Sequence, residues 1–216
     1  MPDLAQLALF LAAATLLAVT PGPGLLYVAA RTLAGGRAEG VASSFGTGLG
    51  GLVHVLAGAA GVSALVMSSA ELFAVLKTVG ALYLVRIGVR TIRDARRSDV
   101  AADLAVRAPG STGARRAFRE GVQVEALNPK TAAFFLAFVP QFVDPGAGTV
   151  RLQFVVLGLA SVALNTAVDV AVAFAAGGVR ESARTRPSAI RRIREASGGA
   201  MVALGLGLLL AKRPAG

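Results

Sequence analysis

The sequence predicts an all-α, polytopic integral membrane protein of about six transmembrane helices, arranged as two inverted three-helix repeats. Hydrophobic residues make up 55% of the chain, above the roughly 45–50% usual for globular domains. The charges are sparse and clustered, so several windows reach the roughly 20 apolar residues that cross a bilayer. Two apolar stretches are also broken by proline beside polar or glycine residues, at Thr20-Pro21-Gly22-Pro23-Gly24 and at Asn128-Pro129-Lys130. Broken helices with polar groups at the break are how transporters build solute sites.

The first span is Leu4 to Ala30, interrupted late by TPGPG, and Gly35-Gly36-Arg37 turns the chain. Glu39 follows where a helix N-terminus favours a carboxylate. The second span, Gly40 to Met67, carries Gly46 and Gly50 at GxxxG spacing and His54 near its middle. Such glycines let helix backbones approach closely where lipid supplies no hydrophobic drive. Ser68 to Glu71 form a polar turn. The third span runs from Leu72 to Ile92, with Lys77 and Arg86 placed to snorkel to the headgroups. Arg93 to Arg119 form a long basic loop with a Pro109-Gly110 hinge, and its end from about Ala114 reads as an amphipathic lead-in helix.

The fourth span, Gly121 to Val143, holds the Asn-Pro-Lys break. Asp144-Pro145-Gly146 then turns sharply. The fifth span, Val150 to Ala176, contains Asn165, Thr166 and Asp169. A second basic loop covers Gly177 to Ala196, and Ser197 to Ala211 is a last apolar segment, short for a span. The loops after spans one, three and five carry nearly all the arginines. Positive charge in short loops resists translocation, so these three loops are expected on the cytoplasmic side. That also accounts for the net charge of +10 without any nucleic acid. Gln141 and Asp144 are expected at the outer rim.

Three spans per half is an odd number, which inverts the second copy. The whole chain, 1–216, reads as one membrane transport domain, with a first half over 4–92, the basic loop over 93–119 and a second half over 121–211. Pro129 removes a backbone donor and frees the carbonyl one turn earlier for nearby polar side chains. Pro21 and Pro23, with Gly22 between them, either kink the first span or break it and expose backbone carbonyls. An ionisable group in hydrocarbon costs about 2.5–3.5 kcal/mol on insertion scales. Asp169 therefore asks for a reason, with Asn165 one turn back on the same face. It either binds a substrate ammonium or a proton, or forms a static ion pair, for instance with Lys130. Lys130 with Asn128 could bind a substrate carboxylate, or Lys130 could snorkel or neutralise Asp169 or Glu125. His54 fits a packed, hydrogen-bonded histidine or a proton relay.

Nothing points to an enzyme or a cofactor. There is no P-loop, GxSxG or HExxH. The absence of cysteine excludes disulfide and thiolate chemistry, and a single histidine makes no His-based metal cluster. Asp3 is the only charge before Arg31, which is unlike the basic start of a cleaved signal peptide.

PGPG in span one, the glycine-rich second span with His54, KTVGALYLVRIGVR in span three and NPKTAAFFLAFVPQFV in span four together resemble the LysE/RhtB family of bacterial amino-acid exporters. The resemblance implies a small inner-membrane exporter of basic or neutral amino acids, such as lysine, arginine, threonine or homoserine, driven by proton or sodium antiport. It assigns the family's motif positions to Pro21, Gly22, Pro23, Asn128, Pro129 and Lys130. The expected function is export of an amino acid or close derivative, by proton antiport and alternating access. Expected partners are that substrate, membrane lipid, a coupling H+ or Na+, and a second copy of the chain through the glycine faces. Two rivals remain at this stage. One is a membrane scaffold without transport, its arginines on anionic lipid or a cytosolic partner. The other is an exporter or channel for a metal ion or other metabolite.

Overall fold

The computed structural model describes residues 4–68, 70–97, 111–144, 146, 149–178 and 187–210. Among them the chain is helical, without a strand. Residues 98–110 of the expected loop at 93–119, residues 179–186 of that at 177–196, Pro145, Lys212 and Arg213 lie outside the described residues, as does the side chain of Lys77.

The first predicted span is two helices, α1 (Leu4–Val19) and α2 (Pro23–Gly35), bent by 47° at the break. The sequence dictates the break. Pro21 and Pro23 have no N–H to offer the carbonyls of Leu17 and Val19 one turn back. Pro23 then opens α2, where a proline's missing donor is harmless. Gly36 turns the chain with φ of 83°, a left-handed geometry that glycine adopts without a Cβ clash. α3 (Arg37–Ser68) follows, then α4 (Ala70–Arg97).

The fourth predicted span is the least regular part. α5 (Ala114–Ala126) is the lead-in helix, and it ends at Leu127. Asn128 caps the short α6 (Pro129–Ala133), its side chain accepting from the Lys130 N–H. A π-helical turn over Phe134–Phe138 and a 3-10 turn over Val139–Phe142 complete the passage. The π turn is closed by the Val139 N–H on the Phe134 carbonyl. Pro140 explains it: its ring crowds the carbonyl one turn back, and a wider turn relieves that contact. α7 (Val150–Gly178) is long and unbroken. α8 (Pro187–Leu210) starts ten residues earlier than the apolar pattern suggests, with Pro187 at its first position, so the end of the second basic loop is helix.

By length and composition alone, Arg37–Gly61 of α3 and Val150–Ala176 of α7 could each cross a membrane, and the bent α1–α2 pair makes a third candidate. Glycines set how these helices meet. A Cβ on Gly46 or Gly50 would strike the backbone of α5 at Phe118 or Val122, while one on Gly48, Gly51 or Gly58 would strike Thr166, Val162 or Phe154 of α7. α3 thus runs parallel to α5 on one face and antiparallel to α7 on another, and its glycine faces are used within the chain. α4 and α8 pack antiparallel through a reciprocal contact, each of Gly88 and Gly198 lying against the other's carbonyl. The buried core joins Phe10 of α1, Phe134, Phe135 and Phe138 of the π turn, Val55 of α3 and Phe154 of α7.

Candidate functional site at the meeting of two broken helices

Pro21 and Pro129 each deprive a carbonyl of its helical N–H, and in each case the other half of the chain adds a side-chain donor to the backbone N–H three residues on. Pro21 frees the Leu17 carbonyl, and the Lys130 ammonium donates to it at 3.0 Å and to the Thr20 carbonyl at 2.9 Å. Pro129 frees the Glu125 carbonyl, which accepts from His54 Nε2 at 2.8 Å. Because a carbonyl can only accept, His54 carries its proton on Nε2. Its ring also stacks on Phe135. His54 is thus packed and hydrogen-bonded in this state.

Glu125 and Thr131, with Asn128, form a closed knot behind the second break. Asn128 Nδ2 donates to Glu125 Oε2 at 2.8 Å, and Thr131 Oγ1 donates to Glu125 Oε1 at 2.6 Å. A Cβ on Gly24 would collide with Glu125 Oε2, so the glycine after Pro23 makes room for this carboxylate. Gly22 does the same for Lys130, whose stem runs within 3.0 Å of where a Cβ would stand.

Asp169 of α7 is 1% exposed. Its Oδ2 accepts from Thr47 Oγ1 of α3 at 2.7 Å and from Asn165 Nδ2 at 3.3 Å. Its Oδ1 is buried with no hydrogen-bond partner. A buried carboxylate oxygen left unsatisfied is costly, and such groups concentrate where a ligand or proton is handled. The static ion pair with Lys130 is not formed: the ammonium goes to the carbonyls instead.

A small cavity lies where these pieces meet, walled by Leu17, Thr47, Glu125, Lys130, Phe135 and Asn165 among others. Its volume is about 30 Å³, on a scale where one water needs about 10–15 Å³. It has room for a water or two in this state and not for an amino acid. Asp169 stands behind the Thr47 and Asn165 wall rather than on it. Of the expected residues, the structure gathers Pro21, Gly22, His54, Asn128, Pro129, Lys130, Asn165 and Asp169 around this point, with Pro23 opening α2 beside it.

A second charged cluster sits where α2, α3 and α5 begin or end. Glu39 Oε1 accepts from Ser111 Oγ at 2.7 Å and from the N–H groups of Thr112 and Gly113 at 2.9 and 2.7 Å. The carboxylate expected to favour its own helix N-terminus thus also holds the start of α5. Arg31 lies 3.8 Å from Glu39 and 3.3 Å from Glu120, and Tyr27 donates to Glu120 at 2.9 Å. Arg116 lies 2.7 Å from Glu120, and this hydrogen bond is the main cause that holds the Glu120 carboxyl below the usual range. Sequence reasoning missed this cluster, and it missed Glu125 and Thr47 as site residues. The signal for Glu125 was there: a carboxylate four residues before a proline, on a helix with an apolar continuation. Among the described residues, no group of three or more His, Asp or Glu could hold a metal ion.

Two proline-broken helices that meet at a small cavity beside buried polar groups are an arrangement that membrane transporters use. The chain belongs to the LysE type translocator family, which it matches over residues 15–212; it is a polytopic membrane protein and not an enzyme. It is 36% identical over 146 residues to an uncharacterized membrane protein of Pseudomonas aeruginosa, covering 64% of each chain. It is 30% identical over 161 residues to the homoserine/homoserine lactone efflux protein of Salmonella typhimurium, covering 74% of each. It is also 30% identical over 156 residues to the leucine efflux protein of Klebsiella pneumoniae, covering 69% of each. No solved structure matches the chain significantly.

Proposed function

We propose that the protein exports an amino acid or close derivative across the bacterial inner membrane by proton antiport. Relatives named for homoserine and leucine efflux support the substrate class. The observation that carries the reading is Asp169, a buried carboxylate with one oxygen unsatisfied, placed behind the cavity where two broken helices meet. Glu125, Lys130 and Asp169 bring two carboxylates and one ammonium to this region, so full ionisation leaves one uncompensated negative charge. A proton or a substrate ammonium would neutralise it, and exchange of one for the other is antiport.

In this reading, residues 4–92 and 121–211 are two inverted halves of one domain over 1–216, with the loop at 93–119 between them. The antiparallel pairing of α3 with α7 and of α4 with α8 supports an inverted arrangement, as does the reciprocal completion of the proline breaks. The basic loops face the cytoplasm, which puts the Arg31, Glu39 and Glu120 cluster at that end. The substrate's ammonium would be drawn toward Asp169 through Thr47 and Asn165. Its carboxylate would need Lys130 to leave the α1 carbonyls, or the N–H groups that open α6.

The test is counterflow in proteoliposomes. The vesicles are preloaded with labelled amino acids that include leucine, homoserine, threonine and lysine, and a pH gradient is imposed. Gradient-driven release that Asp169→Asn abolishes supports the exporter and its coupling group. Release unchanged in the variant keeps the exporter and removes Asp169 from coupling. No release of any amino acid by folded protein sinks the proposed substrate class.

A further inference from the structure

We infer that the carbonyl oxygens of Leu17 and Thr20 form a binding site for a primary ammonium group, and that Lys130 is its tethered occupant in this state. The head of Lys130 donates to these two carbonyls at 3.0 and 2.9 Å, and the residue is 4% exposed. Both oxygens sit at the C-terminal end of α1, where the helix dipole is negative and favours a cation. No carboxylate lies within ion-pair distance of the ammonium, so its direct partners in this state are neutral oxygens. Carbonyls at an unwound helix are the ligands by which secondary transporters hold a coupling cation such as Na+. Here the chain's own ammonium already fills the position.

The stem is as closely fitted as the head. A Cβ at Gly22 would stand 3.0 Å from Cδ and from Cε of Lys130. Glycine at this position therefore gives the stem a channel, and the channel fixes how far the head can reach. Lys130→Ala removes Cγ, Cδ, Cε and Nζ, which together have the shape and charge of n-propylammonium. Lys130→Met keeps a stem of similar reach and removes only the head, whose shape and charge are those of the ammonium ion.

One consequence rests on the exporter reading: with Lys130 filling the position where a sodium ion could otherwise bind, efflux is expected not to require sodium. The ammonium site itself does not depend on that reading, and it is tested without any transport substrate.

The experiment measures thermal unfolding of the detergent-purified protein in choline buffer. Lys130→Ala is expected to lower the midpoint by roughly 5 °C or more, the order expected when charge-assisted hydrogen bonds are lost. n-Propylammonium should restore at least half of that loss saturably. Tetramethylammonium, which has a charge but no N–H, should restore none. If Lys130→Ala does not fold, Lys130→Met replaces it, with the ammonium ion as the restoring cation and n-propylammonium too long to fit. Equal effects of the matched cation and tetramethylammonium, or no effect of either, overturn the site. In proteoliposomes, wild-type efflux should run equally in sodium and in choline. A sodium requirement would overturn the consequence drawn for coupling, and failure of every amino acid to move would sink the exporter reading while leaving the ammonium result standing.

Discussion

The molecule holds two charged clusters, and they solve the same problem differently. Around Arg31, opposite charges meet directly. Glu39 satisfies one oxygen three times over, with Ser111, Thr112 and Gly113, and Arg31 lies between Glu39 and Glu120. Around Lys130, opposite charges are kept apart. The ammonium goes to backbone carbonyls, Glu125 is tied by Asn128 and Thr131, and Asp169 keeps one oxygen with no partner. Glu39 Oε2 also lacks a hydrogen bond, but the Arg31 guanidinium stands 3.8 Å from it, whereas Asp169 Oδ1 has neither a hydrogen bond nor an opposite charge at ion-pair distance. A buried carboxylate oxygen with no counter-charge beside it is open to a proton or a cationic ligand. The first cluster is a clasp that fastens the start of α5 to α2 and α3; the second is the candidate working site.

Four substitutions sharpen or break that contrast. Glu39→Ala should cost the most stability, about 3 kcal/mol, because it leaves buried Arg31 without one carboxylate and frees the start of α5. Denaturation of the purified protein checks this, and efflux per folded molecule should persist. Asp169→Asn should do the opposite. Efflux falls by about tenfold or more, equivalent to about 1.4 kcal/mol, while the denaturation midpoint stays level or rises because a buried charge with an unmet oxygen is gone. A large loss of stability here would place Asp169 in a clasp of its own and erase the distinction.

Thr47→Val removes the 2.7 Å hydrogen bond to Asp169 from the cavity side. About 1 kcal/mol is at stake, or about fivefold in efflux rate, with stability changed little. Arg116→Ala should have the smallest effect. The Arg116 hydrogen bond depresses the Glu120 carboxyl, so its contribution is present above the usual carboxylate range. It is lost as pH falls through the lowered value. Midpoints of variant and wild type should differ slightly at neutral pH and converge in acid. A difference that grows in acid would contradict the assignment.

What was legible in the sequence follows from chemistry that acts locally. Proline lacks an N–H wherever it stands, so Pro21 and Pro129 announce freed carbonyls before any fold is known. An acid inside an apolar stretch has the same clarity, and Asp169 is the most buried of the site's charges. The identity of each partner was not legible, because it depends on how the two halves align. Lys130 lies 110 and 113 residues from its two carbonyls, and Arg31 lies 81 residues from Thr112. From the sequence Glu125 is only a charge that Lys130 could neutralise, and its ties to Asn128 and Thr131 depend on the break at Pro129. The early start of α8 was hidden by arginines that look like loop, although Pro187 is a residue that opens helices well.

The reciprocal completion of the two breaks bears on how the protein is made. As the chain leaves the ribosome, α1 and α2 are finished long before residue 130 is synthesised. Until then, the carbonyls of Leu17 and Thr20 have no Lys130 to receive, and His54 has no Glu125 carbonyl to hold. The first half is therefore inserted in an incomplete state and matures only when the second arrives. Two separately expressed fragments, cut within the loop at 93–119, should each be short-lived in the membrane and should protect one another from proteolysis when made together.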